Sequence, residues 1–226
     1  MAMQTEKIRI QNSGEGMDEA LDAAERFAAS LRDRDAGQGG GPEEGCPKRD
    51  PLRLRLLTEE TLGMVRSIVG RFSAAFWLEA EGGECRLHLE ATADMDLRKR
   101  RELISASSEG RNMAAKGIMG KIRELIEAGL YSMDESLRLQ EEYGVGILNY
   151  GTLGMMEEDM SQAMYSWSMQ KYRDSVAAAR GDSAAANEAW DELEKSIVAN
   201  VADEVRVGIR EDAVELVIIK KISGAA

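Results

Sequence analysis

Aromatic residues are scarce, at 5% of 226 residues, and the chain has one histidine, two cysteines and three prolines. Each shortage excludes some chemistry. His88 alone does not make a multi-histidine zinc centre, and Cys46 and Cys85 lie 39 residues apart with no CxxC spacing. No metal site is therefore expected from these residue types. A Ser-His-Asp or Cys-His hydrolase would have to use His88, and no GxSxG elbow accompanies it. Basic residues are also short, with 29 Lys and Arg against 41 Asp and Glu and a net charge of -12. That balance argues against nucleic-acid binding, which needs a cationic surplus to neutralise phosphates, and against adsorption to anionic membranes. No apolar run approaches the roughly 20 residues that span a bilayer. The opening MAMQTEKIRI lacks the basic-then-apolar layout of a secretory signal. A cytoplasmic chain with free thiols is expected.

What is present is enough for a folded core, since hydrophobic residues make up 43% and charged residues 31%. A strand is expected over 6–11, where Ile8 and Ile10 alternate with charge. A helix follows over 17–32, with Met17, Leu21, Ala24, Phe27, Ala28 and Leu31 at helical spacing. Residues 34–50 hold five glycines and two of the three prolines and read as a flexible loop. A second helix is expected over 51–69, with Asp50 as N-cap and Leu54, Leu57, Thr61, Met64, Val65 and Ile68 inward. Strands at 75–80 and 84–91 flank Gly82-Gly83, a hairpin signal. In the second of these, alternation sets His88 beside Arg86 and Glu90 on a solvated face. A third helix is expected over 114–127, with Ile118, Ile122, Leu125 and Ile126 inward. Residues 129–203 read as a helical insertion, with its two longer helices at 158–179 and 183–201. Strands at 205–209 and 214–219 close the chain, the last one apolar enough to be central. The whole of 1–226 is expected to form one α+β domain, a two-layer sandwich with a mixed β-sheet and helices on one face.

Three stretches in this layout give the chain a family likeness. Leu54 to Met64 resembles the N-box helix of the GHKL fold, the ATP-binding domain of histidine kinases and anti-sigma factor serine kinases. Cys85 to Ala91 running into Ala93-Asp94-Met95-Asp96 resembles the strand that leads to the family's adenine-reading Asp. Ser108 to Gly120, entering a helix, resembles the glycine-rich lid and phosphate-contacting helix start. The resemblance covers 1–128 and 204–222 and leaves 129–203 without a counterpart. It implies Glu60 as catalytic base, and Asp94, Asp96, Gly110, Asn112, Lys116, Gly117 and Gly120 as nucleotide-binding residues. ATP or ADP is the implied cofactor.

The departures from the family pattern shape the expected function. Four residues after Glu60 stands Met64, where the family has an Asn that binds Mg²⁺. A thioether is a poor ligand for a hard cation. After Asp94 and Asp96 come Leu97-Arg98-Lys99-Arg100-Arg101 in place of the family's glycines. A regulatory or protein-interaction module with a degenerate nucleotide site is therefore expected. The alternative is an active serine/threonine kinase or ATPase of the anti-sigma factor type. Some residue types fit two roles. Glu59 and Glu60 suit a general base or a solvated helix edge. The basic run suits phosphate or an acidic partner, or a solvated face. Lys116-Gly117 suits an anion at a helix start, or tight helix–sheet packing. Met155, Met156, Met160, Met164 and Met169, with Trp167, suit ordinary core or an adaptable partner surface. A protein partner or a second copy of the chain is the expected binding partner.

Overall fold

A computed structural model describes residues 2–37, 49–68, 71–92, 117–131, 165–181, 183–210 and 213–222. Two short strands, β1 (Met3–Gln4) and β2 (Ile8–Gln11), open the chain. Helices α1 (Met17–Gly37) and α2 (Arg49–Ser67) follow. Next come the hairpin β3 (Ser73–Glu81) and β4 (Glu84–Thr92), and helix α3 (Ile118–Tyr131). Strand β5 (Tyr165–Ser168) leads directly into α4 (Met169–Ala179). Helices α5 (Ala184–Lys195) and α6 (Ile197–Val201) precede the closing hairpin β6 (Glu204–Arg210) and β7 (Ala213–Lys221).

The strands form one open sheet in the order β1-β3-β4-β7-β6-β5, with β2 also on β3. Every pairing among the described strands is antiparallel, so the expected mixed sheet is corrected to an antiparallel one. The reason lies in the connections. Two of the neighbour contacts, β3–β4 and β6–β7, come from hairpins, and the last hairpin inserts β7 beside β4 rather than crossing over to run parallel to it. The first hairpin turns at Gly82 and Gly83, with φ of 58° and 82°. Two consecutive left-handed residues give the turn whose twist matches the strands, and glycine adopts them without a Cβ clash. β7 is central as expected, bonded to β4 on one side and β6 on the other.

One core lies between the sheet and the helices. Phe76, Leu78, Leu87, Leu89, Leu216, Ile218, Val205 and Val207 point to one face and share a cluster with Ala24, Phe27, Leu57, Val65, Ile122 and Leu125. The inward stripes read from α2 and α3 are all buried. Thr58 and Thr61 are buried too, and each hydroxyl donates to the carbonyl four residues back, Leu54 and Leu57, at 2.9 and 2.7 Å. The layers are thus α+β, with six described helices packed on the sheet.

Several boundaries move. α1 reaches Gly37 and α2 starts at Arg49, so only 38–48 of the expected loop lies outside the described residues. Asp50 sits inside α2 rather than capping it. The helix expected over 114–127 runs from Ile118 to Tyr131. In 129–203, the helix expected over 158–179 is corrected: Tyr165–Ser168 is an edge strand paired with β6, and the helix starts at Met169. Ser168 ends the strand and caps the helix, its hydroxyl accepting from the Lys171 N–H at 3.3 Å. The helix expected over 183–201 is interrupted at Ser196, which caps α6 by accepting from Ala199 N–H at 3.2 Å.

A cavity between two helices, and a buried histidine behind the sheet

α2 and α3 pack side by side on the sheet and leave a cavity of about 290 Å³ between them. Glu59, Glu60, Gly63, Met64 and Ser67 of α2 form one wall, and Met119, Gly120 and Arg123 of α3 the other. The spacing explains the walls. Glu60, Gly63, Met64 and Ser67 follow each other at three and four residues, so they fall on one helix face. That face lies beside the buried stripe, with Met64 belonging to both.

α3 begins after Gly117, whose φ is 81°. Its first N–H groups have no partner inside the helix, and the helix dipole favours negative charge there. Two cations sit on the first two turns, and they are disposed differently. Lys121 is committed: it pairs with Glu192 of α5 and lies 5.6 Å from the Tyr172 ring centre. Burial pulls its pKa down, but the Glu192 hydrogen bond and Tyr172 outweigh this and hold it above the usual lysine value. Arg123 is 9% exposed, and its buried Nε and Nη2 have no hydrogen-bond partner among the described residues. Opposite, Glu59 is held by Arg55 at 2.8 Å, and Arg55 also reaches Glu25. Glu60 makes no hydrogen bond or ion pair among the described residues.

The cavity therefore brings together Glu60 and Gly120, two of the residues singled out from sequence, with Met64. Gly117 starts the same helix. Asp94, Asp96, Gly110, Asn112 and Lys116 lie outside the described residues, as do Arg98 to Arg101, Cys46, Met155, Met156, Met160 and Met164. Among the described residues no group of three or more His, Cys, Asp or Glu is placed to hold a metal ion. Arg123 was missed by sequence reading. The available signal was its position, a turn after Met119 and three residues before Ile126, at the edge of an apolar stripe.

Behind the sheet, the solvated histidine expected at His88 is corrected. His88 is 5% exposed, and its ring stacks on Trp77 with centroids 4.7 Å apart and planes 4° from parallel. Trp77, His88 and Val217 are directly cross-strand neighbours, so the alternation was right and the environment wrong. Glu79 lies 3.4 Å from Nε2 and Glu215 3.5 Å from Nδ1. Lys7 caps the other side of Trp77, 4.0 Å from the ring centre. Large neighbours on adjacent strands bury the imidazole. A second cavity, about 380 Å³, lies between α1 and the β1–β2 edge and includes none of the catalytic or nucleotide-binding candidates.

Of the remaining candidates, Cys85 is a free, buried thiol, and burial pushes its pKa up to about 12. Trp167 and Met169 are core residues, 1% and 0% exposed. No described helix is long and apolar enough to cross a membrane. No family model, curated protein or solved structure matches this chain.

Proposed function

We propose that the chain is a divergent protein of the histidine-kinase-like ATP-binding fold, acting as a regulatory or protein-interaction module with a degenerate nucleotide site. The observation that carries this reading is the shared cavity. Two stretches far apart in sequence, 54–64 and 108–120, were singled out separately, and Glu60, Met64 and Gly120 line one space. The layer order adds support, with helices on one face and the closing hairpin beside β4. At about 290 Å³ the cavity is at the small end of ligand sites, which run from about 300 to 1,000 Å³. It suits the phosphate end of a nucleotide rather than the whole molecule.

Degeneracy rests on Met64. Its side chain is 4% exposed and lines the cavity where a hard oxygen ligand would be needed. For an interaction role, Leu52 and Leu56 lie one turn apart on α2 and are 62% and 38% exposed. Two apolar side chains on an otherwise polar face suit a protein partner or a second copy.

One observation favours the alternative, an active kinase or ATPase. Glu60 lines the cavity without a partner among the described residues, as a general base would. Steady-state ATP turnover with Mg²⁺ separates the two. The proposal expects no turnover above buffer. Turnover that Glu60→Gln abolishes would promote the enzyme.

A further inference from the structure

A buried guanidinium without a partner is costly, because the charge loses its water and gains nothing in exchange. Arginine does not escape by losing its proton. Arg123 is in that position, nine-tenths buried, with Nε and Nη2 unpaired. Its side chain lines the α2–α3 cavity, and it stands on the second turn of the 14-residue α3. Two independent features thus place positive potential at one wall: the guanidinium and the helix start. The guanidinium fork matches the paired oxygens of an anion, and free helix N–H groups favour phosphate in particular. The neighbouring lysine does not compete, because Lys121 is held by Glu192. On the facing wall Glu59 is neutralised by Arg55, which leaves Glu60 as the one acidic wall residue with no ion pair among the described residues.

We infer that Arg123 and the start of α3 hold a phosphate group directly, with the guanidinium in the place of a metal ion. A phosphate here lies against the arginine that lines the wall and offsets its buried charge. Met64, useless to Mg²⁺, is harmless to a phosphate bound by arginine. Binding therefore requires no divalent cation. The inference rests on the reading above, that this cavity receives the phosphate end of a nucleotide.

Calorimetric titration of the full chain with pyrophosphate, ADP and malonate, each in EDTA and in excess Mg²⁺, tests it. Pyrophosphate and ADP should bind in EDTA, and excess Mg²⁺ should tighten neither, since no step of binding uses the metal and Mg²⁺ competes for the same phosphate oxygens. Arg123→Met should weaken both by about tenfold or more, the usual scale for a charge-assisted hydrogen bond. Without ligand the same variant should melt at a higher temperature, because an unpaired buried charge is gone. Arg123→Lys, which keeps the charge, should retain part of the affinity, and it serves if Arg123→Met fails to fold. Glu60→Gln should tighten pyrophosphate by removing the opposing charge.

ADP binding that vanishes in EDTA, or that survives Arg123→Met unchanged, would overturn the inference and leave the nucleotide reading standing. Pyrophosphate binding lost in Arg123→Met, with ADP no tighter than pyrophosphate, would keep the phosphate site and overturn the nucleotide reading. Malonate binding as tightly as pyrophosphate would overturn the phosphate assignment. Binding of none of the three would overturn both.

Discussion

Single residues carry the clearest contrasts. Trp77 and His88 show how a polar ring is kept inside a sheet face by stacking, with carboxylates 3.4 and 3.5 Å from its nitrogens and no hydrogen bond to either among the described residues. Trp77→Ala should cost about 3–5 kcal/mol in urea unfolding, because a buried indole leaves a large void. Glu79→Gln should cost much less, since the ring stays packed. Asp203 is a pH-dependent contact. Burial pushes its pKa up, but hydrogen bonds from the Lys220 ammonium at 2.7 Å and the Lys221 N–H at 2.7 Å outweigh that and hold it below the usual carboxylate value. A carboxyl whose folded pKa is depressed stabilises above its unfolded pKa, near 3.9. That stability is lost as pH falls through the lower, folded pKa. Asp203→Asn should therefore destabilise at pH 7 by no more than about 1 kcal/mol, given its exposure, and have no effect at the acid end. Urea midpoints for the two proteins, compared at both pH values, check the sign.

At the scale of elements, periodicity was informative wherever one face met the core. The stripe Leu54, Leu57, Thr61, Met64, Val65 and Ile68 is buried as read, and so is Ile118, Ile122, Leu125 and Ile126. Tyr165–Ser168 escaped because YSWS, polar and aromatic by turns, is too short for a strand period to show beside a long helical pattern. It is a strand because β6 offers it an open edge, which is tertiary information. His88 was misjudged for a similar reason. Alternation assigns a face, but burial on that face depends on neighbours from other strands. The candidate site was half legible. Glu60, Met64 and Gly120 were read from motif likeness, whereas Arg123 was hidden because a lone arginine near a stripe is normally solvated. The α2 wall also makes a prediction of its own. Met64→Asn should cost about 1–3 kcal/mol, because the thioether is packed in the core and an amide there needs partners. Thermal or urea unfolding measures it. A stabilised variant would mean that the position already has hydrogen-bonding room.

For the whole molecule, the same sheet and helix layers serve two surfaces. The cavity opens between α2 and α3, while Leu52 and Leu56 lie outside on α2. On the proposed reading, a ligand in the cavity and a partner at Leu52 and Leu56 would both touch α2, with no distant relay between them. Leu52→Glu with Leu56→Glu should weaken association without changing Tm by more than a degree or two, because exposed positions away from special features move stability by about 0.5 kcal/mol or less. Light scattering across a concentration series, with a monomer at every concentration for the parent chain, would remove self-association as the partner mode. The central claim is that the α2–α3 cavity accepts a nucleotide's phosphates without a metal. A thermal-shift titration with ADP in EDTA tests it most directly. At an ADP concentration 100 times Kd, linkage stabilises by about 2.7 kcal/mol, a rise of about 5–10 °C for a chain of this size. The account predicts that rise in EDTA, not enlarged by added Mg²⁺, and reduced to about half or less in Arg123→Met. A melting temperature that does not move at millimolar ADP, or moves only when Mg²⁺ is present, would contradict it.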